Sequence, residues 1–303
     1  MVIRTGIIGF SEGNGHPFSF SAIVNGYDDV AFAEAGWQVI LDYLRLQPAD
    51  RFGICDVRIT HSWTQDPVLT ARLCAATLIE HACNEVSEML GEIDALIIAR
   101  DDWESHAELA MPFLRSGIPV FVDKPLTLEA AELAAYVPYL ESGKLMSCSG
   151  LRYAAEIDPL RVPEPAIGAI RLVAGAVLNS PEKYGIHLIE AVASLGRTFA
   201  RPVAITRLEA PHDSFLLHFD NGVPFRLDCL GNVGKTFHLS FFGDHGHCHF
   251  DLHDNFSAFR RTLEHFFAMV RTGVPAIDPV ETVRIMRLLT VAATLEPGRT
   301  EVV

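Results

Sequence analysis

Two short apolar runs constrain this chain more than any other feature: Asp94 to Ala99 (DALIIA) and Pro119 to Asp123 (PVFVD). Runs of this length without polar alternation read as strands buried on both faces. Such strands belong to parallel sheets covered by helices on each side. Arg4 to Gly9 reads as a third buried strand, and Asp56 to Trp63 alternates as a fourth. Helical stretches lie between them. Phe32 to Leu46 places Trp37, Ile40, Leu41 and Leu44 on one side. Asp66-Pro67 supplies an N-cap and a first-position proline for another helix, and Glu104 to Ser116 forms a third that stops at Gly117. Strand and helix in alternation predict an α/β, doubly wound parallel sheet.

The pattern changes near residue 126. After a helix from Leu128 to about Ser142, strands dominate: Ile167 to Val177, a hairpin turning at Asn221-Gly222, then Lys235 to Gly243 and His247 to Leu252. Two helices follow. Phe256, Phe259, Leu263, Phe266 and Val270 recur at helical spacing up to Gly273. Asp278-Pro279-Val280-Glu281 caps the start of the other. The expected architecture is an N-terminal Rossmann-like domain, 1–125, and a C-terminal α+β domain, 126–303. The second would carry a large open, mostly antiparallel sheet, with the C-terminal helices free to pack back on the first domain.

Composition narrows the function classes. The 303 residues are 49% hydrophobic and 20% charged, enough for a sizeable core, and the formal net charge is −14. No Lys/Arg run is present, so nucleic acid is not an expected partner. No apolar run approaches the roughly 18 residues that span a bilayer, and no charged-then-apolar leader opens the chain, so a cytoplasmic protein is expected. The six cysteines form no Cys-x-x-Cys pair and are expected as free thiols.

The loop after the first strand reads TGIIGFSEGNGHPFSFS. A dinucleotide-binding turn has the spacing G-x-G-x-x-G. Counting from Gly9, the second and third glycine positions hold Ser11 and Asn14, while Gly13 and Gly15 fall at other offsets. Gly9, Phe10, Ser11, Asn14 and Gly15 are nevertheless the candidate cofactor contacts, since backbone N–H groups and short polar side chains also bind phosphate. More than twenty residues separate the first strand from the helix near Phe32. The expectation is a functional loop lining the cleft, with His16 on the substrate side. The alternative is a helix over Ser19 to Asn25 that buries Phe20, Ile23 and Val24.

Four constellations can carry chemistry. Lys124, in Val122-Asp123-Lys124-Pro125, follows a buried strand and so stands at the carboxyl edge of the sheet, where doubly wound folds bind ligands. Pro125 restricts its backbone. The alternative is an ordinary solvated lysine. Lys183 and His187 fall four apart and share a face if the segment is helical, an arrangement suited to acid–base work. A buried histidine bonded to backbone is the competing reading. The loop Ala99 to His106 (ARDDWESH) is another carboxyl-edge loop. Finally, His247, His249, Asp251 and His253 alternate onto one strand face. Their spread of about 6–7 Å suits a sheet face or subunit interface better than a tetrahedral metal site, so no metal is expected.

Together these motifs resemble the glucose–fructose oxidoreductase/inositol dehydrogenase (Gfo/Idh/MocA) family. The similar stretches are DALIIARDDWESHAELAMPFLRSGIPVFVDKPLT, YGIHLIEAV and FRRTLEHFFAMVRTGVPAIDPVETVRIMRLL. The resemblance implies NAD or NADP as cofactor and hydride transfer to or from a sugar, cyclitol or related small molecule. Lys124 would bind and polarise the reacting hydroxyl, and His187 would exchange its proton. Thr64, Arg100, Asp101, His106 and Asp123 would join the cofactor contacts. His16, Arg152, Lys183 and Tyr184 would join Lys124 and His187 around the substrate. A homodimer or homotetramer through the C-terminal sheet is implied as well.

Four departures stand out. The phosphate loop lacks two glycines. Thr64 stands where an acid often meets the adenosine ribose. Lys183 replaces an acid four residues before the histidine, and could itself transfer protons if burial lowered its pKa. Asp123 also replaces the family's Glu before Lys-Pro. A non-catalytic or regulatory dinucleotide- or sugar-binding protein on the same scaffold is the competing function.

Overall fold

The computed structural model describes residues 2–196 and 201–303. The first part of the chain builds a parallel sheet. β1 (Ile3–Ile8) is followed by α1 (His16–Asn25), α2 (Asp29–Glu34) and α3 (Gln38–Arg45). β2 (Val57–Trp63), α4 (Pro67–Thr77), β3 (His81–Ala82) and β4 (Ala95–Ile98) come next, then α5 (His106–Arg115), β5 (Val120–Val122), α6 (Ala130–Glu141) and β6 (Leu145–Ser147). All neighbours pair in parallel, in the order β3-β2-β1-β4-β5-β6. The runs expected to be buried on both faces are so: every residue of β4 and β5 is buried. The strand order reverses direction between β1 and β4, and the crevice outside their carboxyl ends is where such sheets receive ligands.

Two local expectations are corrected. The long loop after β1 is short, because α1 begins at His16 and buries Pro17 to Val24. The helix expected over Phe32 to Leu46 is two helices, α2 and α3. Gly36 breaks them at φ +84°, a left-handed conformation that interrupts the helical ladder.

β7 (Ile170–Val177), α7 (Ile186–Ala193), β8 (Pro202–Arg207), β9 (Asp213–Phe219), β10 (Pro224–Cys229), β11 (Phe237–Gly243) and β12 (Gly246–Asp251) follow. α8 (Asn255–Thr272), α9 (Pro279–Thr294) and β13 (Thr300–Val302) close the chain. The second sheet has the order β12-β11-β7-β10-β9-β8-β13 and is antiparallel except where β10 pairs with β7. β8, which the sequence pattern did not single out, lies between β9 and β13; β6 and β13, also not singled out, are three-residue edge strands. Such strands carry little alternation.

The chain divides into two compact units. One comprises Met1–Leu126, Ala135–Ser147 and Phe259–Ala276; the other comprises Thr127–Ala134, Cys148–Ala258 and Ile277–Val303. A single boundary after residue 125 therefore misses two returns of the chain. β6 completes the parallel sheet beside β5, and the greater part of α8 packs on the first unit. Phe266 meets Phe121 at 5.8 Å between ring centroids, Phe259 meets Phe20 at 5.1 Å, and Arg271 caps the Cys55 carbonyl. No helix among the described residues is long and apolar enough to cross a membrane. All six cysteines are free.

Candidate functional site

In the first unit, the loop after β1 packs against the loops after β4 and β5. Gly9 and Gly15 owe their identity to packing. A Cβ on Gly9 would lie 2.7 Å from Pro17 Cγ, and one on Gly15 would collide with Ile40 and lie 2.7 Å from Trp37 Cε3. Gly15 thus does for α1 what the third glycine of the usual motif does for helix–strand packing. Gly13 supplies a turn at φ +79°. α1 has no side-chain N-cap and no acid in its first turn, so its positive end suits a phosphate.

The polar residues of this loop face carboxylates of the chain itself. The Ser11 hydroxyl donates to Asp101 Oδ1, and the Asp101 amide donates to Ser11 Oγ at 3.1 Å. Asp101 Oδ2 lies 3.6 Å from Lys124 Nζ, and Lys124 is 3% exposed. Asn14 Nδ2 donates to Asp123 Oδ2 at 3.2 Å, His16 Nδ1 donates to the same oxygen at 2.5 Å, and the Lys124 amide donates to Oδ1 at 2.9 Å. Burial pushes the Asp123 carboxyl up, but His16 and Lys124 outweigh it and hold the group well below the ordinary carboxylate range. The structure therefore gathers Ser11, Asn14, His16, Asp101, Asp123 and Lys124 at one carboxyl edge. Asp123, expected among the cofactor contacts, is buried instead and braces Lys124.

Arg100 grips Asp102 with two bonds, of 2.8 and 2.5 Å, and reaches Gln65 Oε1 at 3.0 Å. Gln65 also accepts from the Phe10 amide at 2.9 Å and donates to the Phe10 carbonyl. Gln65 ties down the loop, a role the sequence reading assigned to no residue. Its signal would have been its place one residue after the β2 edge position Thr64.

Two expected cofactor contacts are corrected here. Thr64 is buried, and its hydroxyl is engaged with Thr70 Oγ1 at 2.9 Å and the Asp66 carbonyl at 2.7 Å, so it serves the start of α4. His106 is fully buried, with its ring nitrogens 3.1 Å from the carbonyls of Leu126 and Arg100. It clamps the loop after β4 to the loop after β5. Burial lowers its pKa.

In the second unit, the segment expected as one regular helix from Lys183 opens with a wider turn, Pro181–Gly185. There the amides of Tyr184 and Gly185 both donate to the Ser180 carbonyl. Gly185 is close-packed, since a Cβ would lie 3.2 Å from Cys229 Sγ. His187 is half-buried on the first turn of α7, with Tyr184 and Phe237 against its ring at centroid distances of 5.6 and 5.4 Å. Lys183 is exposed, so the burial on which a proton-transfer role for it depended is absent. Ser149, which the sequence reading missed, places its hydroxyl 2.6 Å from His187 Nδ1.

Arg152 is also corrected. Expected near substrate, it is 7% exposed and bonded to Glu190 Oε2 at 2.6 Å and Glu281 Oε1 at 2.5 Å. One guanidinium cannot compensate two buried carboxylates. Burial pushes Glu190 up to about 7 despite Arg152, and Glu281 is raised too. The Arg152 cation is held even more firmly than usual by the same pair. Glu190, three residues after His187 in YGIHLIEAV, thus secures the helix.

On β12, His247, His249 and Asp251 are exposed, and His238 on β11 bonds Asp251 at 2.8 Å. Among the described residues no group of three or more His, Cys, Asp or Glu side chains could hold a metal ion.

Known proteins resemble this chain in part of its sequence and in its fold. Residues 45–149 match the model described as "Oxidoreductase family, NAD-binding Rossmann fold" (GFO_IDH_MocA). A protein of Amycolatopsis mediterranei (strain S699), provisionally named the oxidoreductase subunit of a UDP-kanosamine synthase, is 36% identical over 84 residues, which span 27% of this chain and only 23% of that relative. The myo-inositol dehydrogenase of Corynebacterium glutamicum superposes with a TM-score of 0.73 at 16% identity, covering 100% of this chain and 99% of that one. The scyllo-inositol dehydrogenase of Lactobacillus casei, solved with NAD(H) and scyllo-inositol, gives 0.69 at 13% identity over 95% of each chain. These structural likenesses show a common fold. Residues 45–149 are thus similar to the NAD-binding Rossmann fold of the GFO_IDH_MocA oxidoreductase family, and the chain as a whole shares the fold of these dehydrogenases.

Proposed function

We propose that the protein is an NAD(P)-dependent dehydrogenase of a sugar, cyclitol or related small molecule, working in the cytoplasm. The observation that carries this reading is Lys124. It is a nearly buried ammonium at the carboxyl edge of β5, braced by Asp123 and 3.6 Å from Asp101. A cation held in this way supplies a preorganised charge to a substrate oxygen. The bound nicotinamide supplies the hydride acceptor or donor. The positive end of α1, with Ser11, Asn14 and the backbone to Gly15, would hold its pyrophosphate. His187 would meet a substrate oxygen and its proton, with Tyr184 beside it. The inositol dehydrogenases of like fold make myo-inositol and scyllo-inositol the first probes.

NADH and NADPH titration, followed by nicotinamide fluorescence, tests cofactor binding and identifies which dinucleotide is used. Lys124→Ala should leave dinucleotide affinity within about threefold and reduce turnover of an active probe at least ~100-fold, as expected for losing a transition-state contact. Failure to bind either dinucleotide would sink the dehydrogenase reading. A second reading, a non-catalytic binding protein, is favoured by the engagement of Ser11 and Asn14 with the chain's own carboxylates. It predicts dinucleotide binding without turnover of any polyol. The exposed β11–β12 face, carrying Phe242, is the surface proposed for a homodimer or homotetramer, which analytical ultracentrifugation tests.

A further inference from the structure

The family's acid four residues before the histidine is Lys183 here, and it is exposed. The ring still has an orienting partner, from a different element. Ser149 is fully buried and begins the turn Gly150–Tyr153, where its Oγ accepts from the Leu151 amide at 3.1 Å. Its backbone carbonyl accepts from the Arg152 amide. The serine is thus fixed at both ends. Its hydroxyl hydrogen has no access to water, and His187 Nδ1, at 2.6 Å, lies within its reach.

The geometry points to Ser149 as the positioning residue of His187: it donates to Nδ1 and holds the neutral ring in the tautomer that carries its proton on Nε2. This rests on the reading of His187 as the group that meets the substrate oxygen, and it specifies what the ring offers there. That is an N–H, suited to polarising an oxygen, rather than a bare lone pair. A second proton would have to enter at Nδ1. The Ser149 hydroxyl would then have to turn, leaving its own hydrogen buried without an acceptor. Such a group is costly, so Ser149 favours the neutral ring. The charged and titratable groups on elements packed against α7 are Arg152 and Tyr153 on the Ser149 turn, Glu182, Lys183 and Tyr184 on the turn before α7, Glu281, Arg284 and Arg287 on α9, and His238 on β11. Arg152 and Glu281 are tied to Glu190 or to each other. Tyr184 meets the ring itself edge-on.

The test is a long-range 1H–15N correlation of full-length protein labelled with 15N-histidine, with His187→Gln locating the His187 signals. The expected wild-type ring has a protonated Nε2 and an unprotonated Nδ1. Ser149→Ala should mix the tautomers and raise the ring's pKa by about 0.7 unit, the equivalent of one net hydrogen bond. Ser149→Thr should restore both. A wild-type proton on Nδ1, or an Nδ1 proton in Ser149→Thr if the alanine variant does not fold, overturns the assignment. So does a folded Ser149→Ala with unchanged shifts. With myo-inositol and NAD as the activity probe, Ser149→Ala should lower kcat more than it raises KM and move the pH profile with the ring. If wild type turns over no polyol, the dehydrogenase reading fails, while the ring titration still decides the role of Ser149.

Discussion

Gly15 lacks a side chain because Trp37 and Ile40 occupy the space a Cβ would need. Overpacking a filled interior typically costs about 1–3 kcal/mol. Gly15→Ala should therefore lower the free energy of unfolding by that amount without touching any polar group, and urea unfolding measures it. Counting offsets from Gly9 could not reveal this, because the constraint comes from α3, a neighbour in space. The same holds for Asp123. Asp123 in place of the Glu before Lys-Pro, and Asn14 at the third glycine position, are separate departures in the sequence, and His16 is read apart from both. In the structure they touch, Asn14 and His16 both donating to one carboxylate oxygen. His16→Ala and Asp123→Asn should then be coupled by roughly 1–3 kcal/mol in a double-mutant cycle, as contacting charged partners are. The pH sign follows from the depressed Asp123 pKa. The folded state holds the proton less tightly than the unfolded chain, so this stability is present at neutral pH and lost only as pH falls below the ordinary carboxylate value of about 3.9. Asp123→Asn should therefore be less stable than wild type at neutral pH, and an acid titration should close that gap only below this value. Equal acid midpoints would remove the His16–Asp123 bond from the account.

At the scale of elements, what the sequence revealed follows the length of the hydrophobic signal. β4 and β5 were legible because continuous apolar runs admit few other readings. α4 and α9 were legible because Asp66-Pro67 and Asp278-Pro279 are local caps, and both aspartates do accept from the amide two residues on. The sequence favours a loop over α1, with a helix at Ser19 to Asn25 as the alternative, because HPFSFSAIVN shows no clear apolar stripe. Its polar serines are buried along with its phenylalanines, since it is covered on all sides. The wide turn Pro181–Gly185 has no periodic signature, so a regular helix was expected through Lys183. Of the candidate site, the carboxyl-edge lysine was readable from one strand and one proline. The partners that fix the site residues, Ser149, Gln65 and Asp101, are long-range pairings that carry no local mark.

At the scale of the molecule, the discontinuous units show how distant segments are joined, and in the second unit the joint is charged. Arg152, Glu190 on α7 and Glu281 on α9 meet in a buried triad drawn from positions up to 129 residues apart. Two carboxylates on one guanidinium leave an excess negative charge, and burial raises Glu190 to about 7, above its ordinary value of about 4.3. The folded protein therefore holds that proton more tightly than the unfolded chain does. The stability linked to it is fully present below about pH 4.3 and is lost as pH rises through about 7, where the triad must carry its second negative charge. Melting temperature should fall across pH 5 to 7.5 by on the order of a few degrees, since 1 kcal/mol moves a chain of this size by about 2 °C. Glu190→Gln removes the titrating group and should flatten that slope. Glu281→Gln removes the like charge that helps raise Glu190, so it should shift the slope to lower pH rather than abolish it. Parallel slopes in wild type and Glu190→Gln would assign the pH dependence to other groups. A flattened slope would mean that the helix carrying His187 is anchored by a proton-linked joint, and that its stability weakens over the range in which a neutral imidazole becomes available.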